Sequence, residues 1–157
     1  MDLTNIPLQI RAHWSNPNIP IIVRSGIPGE KLTARLPYLS DNNTWLRSLA
    51  SGTRKPEIKW SPKIKAWKLP ISWLNRFVDS GLERYGRLYL IQPYREIEKC
   101  APACRNAVGH DCQCSCMGAN HGIGDGRGWF DVSETFSFRW GTSAAAIKLM
   151  TRKLRTV

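Results

Sequence analysis

The chain has 157 residues, of which 42% are hydrophobic, so it has enough apolar side chains to build the core of one domain. Its net charge of +11 comes from 23 Lys and Arg residues against 12 Asp and Glu residues. No apolar stretch reaches the roughly 18 residues of a membrane span, and residues 1–11 do not resemble a secretory signal. We therefore expect an intracellular protein, cytoplasmic or nucleoid-associated, with no membrane partner.

The positive charge is distributed along the chain and is not confined to a tail. A compact domain with this much like charge repels itself, and binding a polyanion relieves the repulsion. Nucleic acid is the most common polyanionic partner, so the composition favours a nucleic-acid-binding protein. An acidic protein, for example another subunit of a nucleoprotein complex, is the alternative partner.

The first half of the chain predicts an arm followed by an α+β part. Residues 1–19 are interrupted by Pro7 and Pro17 and predict an irregular N-terminal arm. Residues 20–99 predict the nucleic-acid-binding part. Its elements in chain order are strands at 21–24 and 31–36, a helix at 44–50 capped within Asp41-Asn42-Asn43, a hairpin with strands at 57–60 and 64–69, a helix from Pro70 that ends before Gly86, and a buried strand at 87–92.

The second half predicts a Cys-rich module at 100–121 and then a return to the same domain at 122–157. The returning segment contains a Gly-rich loop, short strands at 129–132 and 135–140, and a basic helix from Thr142 or Ser143 to Leu154. The order of elements predicts an α+β fold: a small mixed or antiparallel sheet with about three helices and a Cys-rich metal-binding loop.

All five cysteines lie between residues 100 and 116. In a basic intracellular protein such close spacing indicates a metal site in preference to disulfides. A structural zinc ion needs four ligands, for which we expect Cys100, Cys104, Cys112 and Cys116, with Cys114 as the next choice. An iron–sulfur cluster held by four thiolates is the alternative cofactor.

Residues 54–68 are rich in lysine and tryptophan and contain one acid, Glu57. The basic and aromatic residues are Arg54, Lys55, Lys59, Trp60, Lys63, Lys65, Trp67 and Lys68. Ammonium groups that neutralise phosphates, beside rings that stack on bases, are what a single-strand binding surface requires. In an extended strand Lys63, Lys65 and Trp67 would share one face, which predicts that Trp67 stacks on a base. The alternative is that both tryptophans belong to the core.

Four more basic residues extend the predicted surface. Arg84 and Arg87 bracket the end of the helix that starts at Pro70, and Arg152 and Lys153 lie on the predicted last helix. Contacts from these residues would go mainly to phosphates, so we expect low sequence specificity.

The segment Leu36-Pro37-Tyr38, then Trp45-Leu46, then residues 60–70 (WSPKIKAWKLP) resembles the HARP domain of annealing helicases. The resemblance covers roughly residues 31–90, is specific around Trp60 to Pro70, and does not extend to the Cys-rich module. It implies recognition of DNA structure and promotion of strand annealing, with Lys63, Lys65 and Trp67 in the binding role.

Two other functions remain open from the sequence. His121, Asp125, Asp131 and Glu134 are close together along the chain and would serve a metal-dependent nuclease if they converged. A basic module that binds other proteins is the third interpretation. The leading prediction is a zinc-stabilised protein that binds single-stranded or structured DNA or RNA, as an accessory subunit of a nucleoprotein complex.

Overall fold

A computed structural model describes residues 1–50, 57–94 and 129–153. These residues form a seven-stranded mixed sheet in the order β3-β4-β2-β1-β5-β7-β6. The strands are β1 (Ile21–Val23), β2 (Leu32–Arg35), β3 (Lys59–Ser61), β4 (Ala66–Leu69), β5 (Arg87–Pro93), β6 (Phe130–Trp140) and β7 (Ser143–Arg152). The helices are α1 (Arg11–Ser15), α2 (Asn42–Ser48) and α3 (Leu74–Tyr85), with 3-10 turns at Leu8–Ile10 and Ile71–Trp73. The predicted α+β class and mixed sheet are confirmed.

Only β1 and β5 run parallel, and the other neighbouring strands are antiparallel. None of the helices in the described ranges is long and apolar enough to cross a membrane. The predicted Cys-rich loop and Gly-rich loop lie outside the described residues.

The two faces of the sheet bury separate apolar cores. One face, here called the helical face, is covered by α2 and α3, whose Leu46, Phe77 and Leu82 pack against strand residues such as Leu90. The other, here called the arm face, packs against residues near the N-terminus. Because side chains alternate along a strand, successive residues of the central strands enter the two cores in turn.

The N-terminal arm is more ordered than its prolines predict. It contains the 3-10 turn and α1, and its Ile10 and Ile19 are buried in the arm-face core. The indole Nε1 of Trp140 donates a hydrogen bond to the Asp2 carbonyl at 3.0 Å. The prediction of an irregular arm was therefore wrong for Leu8–Ser15, since burial of apolar side chains on the sheet stabilises local turns that the isolated segment would not hold.

Helix α3 follows the predicted segment closely at its C-terminal end. Gly86 adopts the left-handed conformation with a φ of 82°, and its amide donates to the Leu82 carbonyl at 2.9 Å. This confirms the predicted C-terminal glycine. At the other end, Pro70 precedes a 3-10 turn and the α-helix begins at Leu74.

The segment from Ser143 to Arg152 is a strand, so the predicted C-terminal helix was wrong. The run Ala144-Ala145-Ala146 favours helix by intrinsic propensity. Instead β7 pairs with β5 on one side and β6 on the other, and residues 145–150 are all buried. A strand covered on both faces has no polar side to show alternation, and sheet pairing overrides the local preference.

One strand, β6, replaces the two short strands predicted at 129–132 and 135–140. Its register with β7 shifts between Ser133 and Phe136, and Glu134 has a φ of 48°. This extra residue is a β-bulge, which changes the alternation of side chains along the strand. Phe130 and Val132 consequently contact the helical-face core, whereas Phe136 and the apolar residues after it contact the arm-face core.

Candidate nucleic-acid interface

The β3–β4 hairpin forms one edge of the described sheet and carries the predicted tryptophans. Trp60 pairs with Trp67 across the hairpin, and their ring centroids are 5.1 Å apart in an edge-on arrangement. Trp67 is partly buried and packs against the helical-face core, whereas Trp60 is 47% exposed. The ring available to a base is therefore that of Trp60, and the prediction that Trp67 presents a free stacking face was wrong.

The lysines of the hairpin divide between the strand and the turn. Residues 62–65 form the turn, so Lys63 and Lys65 are not in the strand with Trp67 as predicted. Both lysines are exposed, as is Lys59 on β3, and Lys65 has a φ of 53°. The turn displaces them from the strand because its backbone does not continue the alternation of β4.

Acidic groups near this hairpin offset little of its charge. Glu57 is held by Lys31, whose Nζ lies 3.0 Å from a carboxylate oxygen. Hydrogen bonds from Thr4 lower the pKa of the exposed Asp2 carboxyl, and the charge of Lys63 contributes to the same shift. The N-terminus thus runs close enough to the turn to feel Lys63 electrostatically.

Lys68 faces away from the tryptophans. It pairs with Thr33 of β2, and its Nζ donates a hydrogen bond to the Thr33 hydroxyl at 2.7 Å. Burial lowers the pKa of the Lys68 ammonium, although Glu30 opposes the shift. Because this group is half-buried and already bonded, it is a poorer phosphate contact than the lysines of the turn.

Arg84 is committed to contacts between α2 and α3. Its Nη2 lies 2.7 Å from an Asp41 carboxylate oxygen, and its guanidinium carbon lies 5.0 Å from the Trp45 ring centroid and 5.4 Å from that of Tyr85. The hydrogen bond from Arg84 holds the pKa of the Asp41 carboxyl below its usual value. Asp41 makes no capping hydrogen bond to α2, since its carboxylate turns toward Arg84 instead.

The remaining predicted cations lie near β5 and β7. Arg152 donates from Nη1 to the Glu83 carbonyl at 3.1 Å, and the Nζ of Lys153 lies 3.8 Å from the Asp131 carboxylate. Exposed Arg87 begins β5. Four strand spacings, about 19 Å, separate β4 from β7, and the twist of roughly 20–25° per strand turns the two regions apart. These cations therefore do not continue the hairpin surface.

A second exposed tryptophan lies at the opposite edge of the described sheet. Trp129 is 40% exposed, and its ring packs edge-on to Phe130 with centroids 5.4 Å apart. The Trp129 carbonyl accepts a hydrogen bond from the Lys153 amide at 2.9 Å. Sequence reasoning did not single out this residue, and no periodic pattern marks it.

Several predicted site residues lie outside the described residues: Arg54, Lys55, Cys100, Cys104, Cys112, Cys114, Cys116, His121 and Asp125. Of the nuclease candidates, Asp131 and Glu134 lie on β6, three residues apart, which corresponds to roughly 10 Å along a strand. Within residues 1–50, 57–94 and 129–153, no three His, Cys, Asp or Glu side chains form a group that would hold a metal ion.

The hairpin therefore brings together an exposed indole, three exposed lysines and a supporting buried indole. Comparison with protein-family models, curated proteins and solved structures finds no match to this chain.

Proposed function

We propose that the chain binds single-stranded or structured nucleic acid, with low sequence specificity, through its β3–β4 hairpin. The observation that carries the proposal is the exposed Trp60 ring, supported edge-on by Trp67 and followed by the exposed turn lysines Lys63 and Lys65. A large exposed aromatic ring costs free energy in water, and stacking on a base removes that cost.

The packing of the hairpin favours a preformed site. Trp67 is anchored in the helical-face core, and its ring in turn limits the orientations of Trp60. A side chain that is already ordered loses less conformational entropy on binding. The proposal agrees with the HARP-domain resemblance on Lys63 and Lys65, and assigns the stacking role to Trp60 in place of Trp67.

The turn lysines should act through phosphate contacts, which release counterions. We expect the Lys63→Ala/Lys65→Ala double variant to bind an oligonucleotide more weakly, and its plot of log affinity against log salt to be shallower by about 1.5–2 units. The measurement is fluorescence anisotropy with labelled oligothymidine over a series of salt concentrations.

The matched control removes the same charge elsewhere. Arg11 and Arg139 are both exposed, and each side chain donates to a nearby backbone carbonyl. The Arg11→Ala/Arg139→Ala variant should keep the parent slope. Equal slopes for the lysine variant and the parent would contradict a role for the hairpin, and cleavage of the oligonucleotide with added divalent cation would favour the nuclease interpretation.

For the cysteine-rich segment we propose a structural zinc ion bound by Cys100, Cys104, Cys112 and Cys116. Support comes from the chemistry of the donors, since thiolates are preferred zinc ligands and four complete a tetrahedron. The ion would contribute to folding of this segment, because its ligands converge only in the folded chain.

A further inference from the structure

Tyr38 is the most exposed large side chain of the described hydrophobic and aromatic residues, with 92% of its surface accessible. It follows β2, which is paired directly with β4. Because β2 runs antiparallel to β4, the end of β2 lies at the same end of the sheet as the hairpin turn that carries Lys63 and Lys65. Tyr38 therefore leaves the sheet beside that turn.

The backbone around Tyr38 is held in place. The Asn42 side-chain amide donates to the Pro37 carbonyl at 2.9 Å, and the Asn42 backbone amide donates to the Leu39 carbonyl at 3.2 Å. Asn42 itself is buried at the start of α2. A fixed backbone that presents a free aromatic ring offers contact area at a low entropic cost, as in binding loops that use tyrosine as an anchor.

The distance between Tyr38 and Trp60 suits one ligand that contacts both. Two strand spacings, about 10 Å, separate β2 from β3, and Tyr38 lies at most about 13 Å further along the strand direction. The two residues are thus on the order of 15 Å apart, with the turn lysines at the same end of the sheet. Asp41, the nearest acid in sequence, is neutralised by Arg84.

We propose that Tyr38 is a second base-stacking residue, so that one nucleic-acid single strand stacks on Trp60 and on Tyr38 and passes its phosphates over Lys63 and Lys65. This inference rests on the proposed function and adds a separate binding site to it. It identifies the ligand as single-stranded nucleic acid long enough to bridge both rings.

The test compares the parent with Tyr38→Ala, Tyr38→Phe and Trp60→Ala, each titrated with three-residue and twelve-residue oligothymidine and oligouridine. We expect Tyr38→Ala to weaken binding of the twelve-residue strands by about five- to 100-fold, as loss of one stacked base does. Tyr38→Phe keeps the ring and should match the parent. The three-residue strands engage one ring at a time, so each alanine variant should lose no more than about twofold on them.

The outcomes separate this inference from the proposed function. If Tyr38→Ala binds the long strands as the parent does while Trp60→Ala is weakened, the second stacking site is contradicted and the hairpin function stands. If Tyr38→Ala weakens a duplex as much as a single strand, stacking is not the cause and the inference fails. If neither alanine variant is weakened, both proposals fail. A difference between the two oligonucleotide types would identify DNA or RNA as the preferred ligand.

Discussion

The Phe77→Ala variant should lower the free energy of unfolding by about 3–5 kcal/mol, as removal of a buried aromatic ring does. Phe77 is fully buried on the side of α3 that faces the sheet, and its ring meets Trp45 of α2 with centroids 5.7 Å apart. The residue therefore joins both helices to the helical face. Because small domains have only about 5–15 kcal/mol of stability, the variant should be close to unfolding at ordinary temperature.

Urea unfolding followed by tryptophan fluorescence measures this loss. Phe136→Ala is the matched control, because its ring is only partly buried at the edge of the arm-face core. It should cost clearly less, since less apolar surface is returned to water. A loss below about 1 kcal/mol for Phe77→Ala would contradict the packing of α3 on the sheet.

Removing the proposed metal should have the other large effect. Structural zinc contributes an apparent 10–16 kcal/mol in zinc-finger peptides near neutral pH, so a chelator strong enough to remove it should abolish the cooperative unfolding of any segment that depends on it. The measurement is metal content of the purified protein, followed by thermal unfolding with and without chelator. We expect about one zinc ion per chain.

Cysteine variants separate the ligands from the remaining thiol. Cys104→Ser should lose the metal, whereas Cys114→Ser should retain it. Iron with a brown chromophore would replace zinc by the iron–sulfur alternative. Protein that is free of metal and unaffected by the chelator would contradict the metal site altogether.

Those parts of the fold that depend on local pattern could be predicted from the sequence. Gly86 ended α3 as expected because a left-handed residue is needed there and glycine adopts that conformation without strain. The hydrophobic run after it became β5. In both cases the local preference and the tertiary environment agree.

The predictions that failed depended on pairing between distant strands. Nothing within residues 143–152 indicates that β5 and β6 will enclose them, so the alanine run was interpreted as a helix. The exposure of Trp60 and the partial burial of Trp67 follow from β3 being an edge strand and β4 an inner one. Two tryptophans in similar local sequence cannot be distinguished without that order.

A comparison of Trp60→Ala with Trp129→Ala tests the hairpin proposal most directly. Both residues are exposed tryptophans at opposite edges of the described sheet, so the two variants lose similar side chains and differ in location. Titration with a twelve-residue oligothymidine should show about five- to 100-fold weaker binding for Trp60→Ala and parent affinity for Trp129→Ala. Parent affinity for Trp60→Ala, or a loss confined to Trp129→Ala, would contradict the hairpin as the binding surface.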